Sequence, residues 1–184
     1  MVIGVDEVGR GCWAGPLVAG AVCLDGTIDG LMDSKKLSAK KRKKLSEVIA
    51  NEAYSYALGW VTPKEVDELG LTEAVRLAMK RAIEQLDISG AKIIVDGNIN
   101  YLLHLPNTEA VIKADDSVPA VSAASILAKV ARDEYMHEIS SKYPEYGFEK
   151  HVGYGTKAHL EALKAFGVTP IHRKSYKPVK RLAV

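Results

Sequence analysis

The stretch "VIGVDEVGRG", Val2 to Gly11, sets a short β-branched apolar run against two adjacent acids and then an arginine between two glycines. An apolar run this short, rich in valine and isoleucine and closed by polar residues, reads as a buried strand rather than a helix. Asp6 and Glu7 then repel each other at the strand end, and the glycines after them expose backbone groups. The pattern recurs twice. "IIVDG" ends in Asp96, and "VIKADD" runs into Asp115 and Asp116. Functional residues of open α/β sheets gather at strand ends, so Asp6, Glu7, Asp96 and the Asp115–Asp116 pair are expected to converge on one edge. Bare carboxylates brought together are unstable, and an all-oxygen donor set without histidine or cysteine suits Mg2+ or Mn2+. Two such ions about 4 Å apart would activate a water and stabilise the leaving oxygen of a phosphodiester. The plainer alternative is that each acid only closes a strand, as aspartate before glycine does in many turns.

The rest of the chain alternates strands and helices. "LVAGAVCL" and "YSYALGWV" read as strands, and the two Asp-Gly pairs around Thr27 and Ile28 as a hairpin-like or loop segment. Ser38 is placed to cap a strongly basic helix striped by Leu45, Val48 and Ile49. Thr62 and Pro63 open a second helix, and Thr72 is expected to cap a third that shows Leu71, Val75, Leu77, Ala78, Ala82, Ile83 and Leu86 near one face. A long small-residue helix runs from Pro119, and another ends at Gly167. The tail "HRKSYKPVKRLAV" has no clear period. These elements predict one α/β catalytic core over residues 1–139 with a C-terminal appendage over 140–184.

Composition is that of an ordinary globular protein, 47% hydrophobic and 26% charged with a net charge of +2, so charge alone does not announce a nucleic-acid ligand. Cys12 and Cys23 have neither a disulfide framework's nor a zinc site's spacing and read as buried free thiols in a reducing compartment. No apolar run is long enough to span a bilayer, and the start lacks a basic segment followed by an apolar one, so a cytoplasmic location without membrane contact is expected. Clustered features point to a nucleic-acid strand. Lys35, Lys36 and Lys40 to Lys44 form a basic block that meets a phosphate backbone or simply faces solvent. Gly9, Arg10 and Gly11 free backbone for close approach to a ligand, and Tyr154 in "HVGYGTKAH" is set either to stack on a base or sugar or to serve as a loop aromatic.

In this order, "GVDEVGRGCWAGPLVAGAV", "DSKKLS", "IIVDGN", "KADDSVPAVSAASILAKVARD", "HVGYGTKAH" and "HRKSY" resemble the type 2 ribonucleases H, specifically the bacterial-like ribonuclease HII family. The resemblance runs through essentially the whole chain. It implies a ribonuclease H-like mixed five-stranded sheet flanked by helices, with a small helical C-terminal segment. It implies hydrolysis of the RNA strand of RNA/DNA hybrids and incision 5′ of a ribonucleotide embedded in duplex DNA, leaving 3′-hydroxyl and 5′-phosphate ends. Matched position by position, the family's metal-binding acids fall on Asp6, Glu7, Asp96 and Asp115, its glycine-arginine-glycine motif on Gly9, Arg10 and Gly11, and its substrate-sensing tyrosine on Tyr154. Ser34, Lys35 and Lys36 would hold phosphates near the scissile bond. Asp116 and Val152 depart from the family, which commonly has a neutral residue and a lysine there, and Asp133 of "VARD" is expected in a structural role. The histidines His104, His137, His151, His159 and His172 read as packing residues. The tail lacks the glutamine-plus-paired-aromatic pattern of a sliding-clamp ligand, and a monomer is expected. A silent binding module on the same fold would have a neutral residue among the four acids, and a DNA-only nuclease would not need the two glycine-flanked motifs.

Overall fold

The computed structural model of the chain describes residues 1–31 and 37–182. Its centre is a sheet in the order β3-β2-β1-β4-β5, with β1 Val2–Val8, β2 Leu17–Leu24, β3 Ser55–Val61, β4 Lys92–Asp96 and β5 Thr108–Val111. β1, β2 and β3 pair antiparallel, whereas β4 and β5 run parallel to β1, so the sheet is mixed as the resemblance implied. β2 is buried at every position, which explains its unbroken apolar sequence: helices cover both of its faces.

The helices are α1 Ala39–Glu52, α2 Pro63–Leu69, α3 Leu71–Ile83, α4 Pro119–Ser140, α5 Phe148–His151, α6 Lys157–Phe166 and α7 Lys177–Lys180. On one face, Ile3, Val5, Ala19 and Ala21 pack with Val75, Ala78, Met79 and Ala82 of α3. On the other, Val22 and Leu24 pack with Ile49 of α1 and Ala120, Ala123 and Ala124 of α4. α4 lies so close to the sheet that a Cβ on Gly4 would overlap the backbone of Ala120, and one on Gly20 that of Ala124. The small residues of α4 and these two strand glycines are one adaptation, removing side-chain thickness from both partners.

Local signals explain the helix starts. Ser38 accepts from Lys41 N at 3.4 Å, and Thr62 with Glu65 forms a complete capping box behind Pro63. Two expectations need correction. α3 begins at Leu71 with Gly70 as its cap, because the glycine that ends α2 also starts α3, so Thr72 is already inside the helix. Val48 is 37% exposed, leaving Ile49 as the buried anchor of α1. After α4 the chain builds a separate apolar cluster from Tyr146, Phe148, Ala162, Leu163 and Val179, closed against Met136 and Ile139 of α4 and Ala14. Among the described residues, no helix is long and apolar enough to cross a membrane.

Candidate active site

The parallel register Gly4↔Ile94 and Val5↔Val95 sets what happens at the strand ends. Two residues on from Gly4 and Ile94, the pleat brings Asp6 and Asp96 side by side on the face toward α4. Asp6 is only 8% exposed; its Oδ1 accepts from Glu7 N at 2.8 Å, and its carboxyl takes a further hydrogen bond from Ser125 of α4. Burial first, then the charges of Glu7 and Asp96, push the Asp6 carboxyl up to about 7. Burial also raises Glu7, although Arg10 donates to Glu7 Oε1 at 2.9 Å and counters part of the shift. Asp96 is half-buried, and its Oδ1 accepts from Ala114 N at 2.7 Å, which docks the 3-10 turn Ala114–Asp116 against the end of β4.

That turn changes the expected picture of the "DD" pair. β5 stops at Val111, and Ile112 and Lys113 intervene, so Asp115 and Asp116 do not close the strand as expected but sit in a tight turn that Asp96 anchors. Within the turn Asp115 is half-buried and Asp116 exposed. Among the described residues, no three His, Cys, Asp or Glu side chains form a closed metal-ligand cluster; the acids share an edge without making a finished cage. The donor set nevertheless fits a hard divalent cation. It is all carboxylate oxygen, and two of its acids carry raised affinity for a proton, the condition a cation relieves.

Immediately after β1 the chain turns back on itself at Gly9, with φ +93°. Cys12 forms an isolated bridge with Tyr154, and Trp13 N and Ala14 N both donate to Gly153 O, so the loop of Gly9 to Gly11 and the loop of Tyr154 are stitched together. Tyr154 is 40% exposed, its ring centre 6.0 Å from both the Lys129 ammonium and the Arg132 guanidinium. Arg10 and Gly11 are exposed, and Gly9 is buried. Asp133 lies beside this site, paired with Lys129 at 2.8 Å on the same helix. Ser34, Lys35 and Lys36 lie outside the described residues.

Val152 adopts φ +43° as it ends α5. A β-branched residue in the left-handed region is strained by about 1–3 kcal/mol. Val152→Gly is therefore expected to raise stability by about 1 kcal/mol in urea unfolding, with the Arg132 bond to its carbonyl at 2.9 Å retained. A midpoint unchanged or lowered would show that the valine is not strained.

Two of the histidines that the sequence leaves as packing residues, His172 and His159, form a directed hydrogen-bond chain under Tyr154, with a third, His151, stacked against it. Thr169 N–H donates to His172 Nδ1 at 3.1 Å, so the His172 proton is on Nε2. That proton goes to His159 Nε2 at 3.0 Å, and His159 Nδ1–H in turn donates to the Tyr154 carbonyl at 2.9 Å. His151 stacks on His159 with ring centres 4.7 Å apart and donates from Nε2 to the Tyr146 carbonyl at 2.9 Å. Burial first, then the neighbouring histidines, lower His159 and His172 to about 4. Both are neutral in the fold and titrate near 6.5 once unfolded, so their stabilisation is complete above pH 6.5 and is lost as pH falls toward 4. In an Asp6→Asn, Glu7→Gln background, which removes the opposing gain in stability that the raised carboxyls of Asp6 and Glu7 give on acidification, urea unfolding at pH 7.5 and pH 5 is expected to differ by roughly 2–4 kcal/mol from this pair; equal midpoints in that background would contradict it.

The mixed sheet, its acidic edge and the hard-oxygen donor set define a class, the metal-dependent nucleases of ribonuclease H-like fold. The family model "Ribonuclease HII" matches residues 3–179. The chain is 49% identical over 185 residues to ribonuclease HII of Coxiella burnetii, covering 99% of this chain and 91% of that protein. It is 52% identical over 187 residues to ribonuclease HII of Desulforamulus reducens, covering 98% and 92%. Among solved structures it resembles the ribonuclease H2 of Pyrococcus horikoshii, with TM-score 0.80, 30% identity and coverage of 98% and 96%. It also resembles the structure of a PCNA:RNase HII complex from Archaeoglobus fulgidus, with TM-score 0.81, 28% identity and coverage of 99% and 96%. The chain belongs to the ribonuclease HII family. It is a metal-dependent endoribonuclease that acts on the RNA strand of RNA/DNA hybrids.

Proposed function

We propose that this enzyme incises on the 5′ side of single ribonucleotides embedded in duplex DNA as well as in longer hybrids, leaving 3′-hydroxyl and 5′-phosphate ends. The observation that carries the reading is the stitching of two loops: the Gly9–Gly11 loop leaves β1 next to Asp6 and Glu7, and the Cys12–Tyr154 bridge brings Tyr154 to the same edge. Asp6, Glu7, Asp96 and Asp115 hold Mg2+ or Mn2+. Bound there in pairs, these ions supply the positive charge that acidifies an attacking water and stabilises the leaving oxygen. Backbone groups of Gly9, Arg10 and Gly11 meet the ribose 2′-hydroxyl, the group that distinguishes RNA from DNA. The Tyr154 ring stacks on the following deoxyribose and so reports an RNA-to-DNA junction. Ser34, Lys35 and Lys36 hold phosphates. Residues 140–184 act as an appendage that presents Tyr154 and completes the substrate face of a core spanning residues 1–139, in a monomer that works in the cytoplasm.

The test is a duplex with one ribonucleotide, incubated with Mg2+ or Mn2+ and mapped at nucleotide resolution. A single cut on the 5′ side is expected; cleavage only in long hybrids would remove the junction reading. Tyr154→Ala should lose junction cleavage far more than cleavage inside a long hybrid. Equal loss on both substrates would show that the ring does not read the junction.

A further inference from the structure

The two largest fully buried side chains are arginines, Arg132 and Arg173, and among the described residues neither forms an ion pair. Charged groups enter a protein interior at high cost unless their hydrogen bonds are met, so the acceptors identify what the charge is for. Arg132 donates to the carbonyls of Pro16 at 2.8 Å, Val152 at 2.9 Å and Ala14 at 3.1 Å, spanning the two stitched loops. Arg173 is more concentrated in its aim. Its Nε and Nη2 donate to Gly15 O at 3.1 and 3.0 Å, and its Nη1 donates to Gly9 O at 2.6 Å and Arg10 O at 3.1 Å. Tyr176 Oη, which accepts from the same Nη1 at 3.0 Å, donates to Arg10 O at 2.5 Å. The segment that carries Arg173 is itself fixed: Arg173 N donates to Trp13 O at 2.8 Å, and Lys174 N and Ser175 N both donate to the Asp67 carboxylate of α2 at 2.8 Å.

In a planar trans peptide the C=O and N–H point in opposite directions. Turning the Gly9 and Arg10 carbonyls inward onto Arg173 therefore turns the Arg10 and Gly11 N–H groups outward, onto an exposed surface beside Asp6 and Glu7. That surface is open at Gly11, where an added Cβ would meet nothing within 4 Å. Two adjacent N–H donors backed by a buried cation make a small concavity for one electronegative oxygen.

We propose that Arg173, seconded by Tyr176, is a positioning residue for ribonucleotide recognition, holding the Gly9–Gly11 loop so that the Arg10 and Gly11 amides face the substrate's 2′ oxygen. The inference rests on the reading that this loop senses the 2′-hydroxyl. Discrimination is measured as the ratio of the inhibition constant of an all-DNA duplex to the KM of the same duplex containing one ribonucleotide. This ratio does not depend on how much of a preparation is folded, so a merely structural role would not move it.

Arg173→Lys keeps the charge but loses the planar fork. It is expected to lower the ratio about tenfold or more, and Tyr176→Phe, which removes the hydroxyl's two hydrogen bonds to Arg173 and Arg10 and leaves the guanidinium in place, about threefold to fivefold. A folded Arg173→Lys with the wild-type ratio overturns the proposal. If that variant does not fold, Tyr176→Phe decides alone, and a wild-type ratio there has the same force. If the wild-type enzyme itself shows no discrimination, the reading of the loop as a 2′-hydroxyl sensor fails first, an outcome distinct from failure of the arginine's role.

Discussion

Asp6→Asn is expected to abolish cleavage in Mg2+ or Mn2+ while making the metal-free protein more stable. The two effects have one origin. Asp6 is buried beside Glu7 and within electrostatic reach of Asp96, so its anionic form is held at a cost that its raised pKa of about 7 reports. Asparagine preserves the volume and the Oδ1 acceptor for Glu7 N, and it removes the charge that a divalent cation requires. Activity should fall by at least about 10³-fold, on the order of 4 kcal/mol of transition-state stabilisation. In chelator at pH 8 the variant should melt a few degrees above the wild type, about 2–4 °C per kcal/mol for a chain of this size. Added Mg2+ or Mn2+ should raise the melting temperature of the wild type and leave the variant nearly unmoved. Turnover retained in Asp6→Asn would sink the assignment of Asp6 as a metal ligand, and a lower melting temperature in chelator would show that its burial is not costly.

Much of this edge is written locally. Strand β1 is legible from its apolar run, and its two acids from their position at its end; the same holds for β4 and Asp96. Caps are legible where a side chain acts on its own helix, as Ser38 and Thr62 do. Features that depend on distant chain segments are hidden. Asp115 looks like a strand terminus because it follows an apolar run, yet the strand stops at Val111 and the turn is held by Asp96, far back in sequence. Arg173 lies in a tail of scattered basic residues with no clear period, but it is fully buried because its acceptors are carbonyls at Gly9, Arg10 and Gly15. No periodicity encodes a contact between opposite ends of the chain. The histidine chain under Tyr154 is hidden for the same reason, since its order comes from packing α6 against the segment before Arg173.

The two glycines flanking Arg10 give the second large contrast, because the same added methyl group should do opposite things at each. Gly9 has φ +93°, and a Cβ there would lie 2.5 Å from Arg132 Nε and 2.9 Å from Pro16 O, inside the bond that those two groups make with each other. Gly9→Ala must therefore strain its backbone and also push aside a fully buried guanidinium, leaving carbonyls at Pro16 and Ala14 without a donor. Loss of a buried charged hydrogen-bond network costs about 3–5 kcal/mol, so the melting temperature should drop by about 10 °C, with activity lost along with the fold. Gly11 has no such constraint: an added Cβ meets no protein atom within 4 Å. Gly11→Ala should leave stability within about 0.5 kcal/mol of the wild type. Its methyl group would project where a ribose must approach, and displacing the scissile phosphate by about 1 Å is enough to reduce cleavage of an embedded ribonucleotide about 10²-fold. Thermal melts and single-turnover cleavage of the two variants separate these roles. A destabilised Gly11→Ala, or a fully active one, would mean that the open surface at Gly11 is not where the substrate lies.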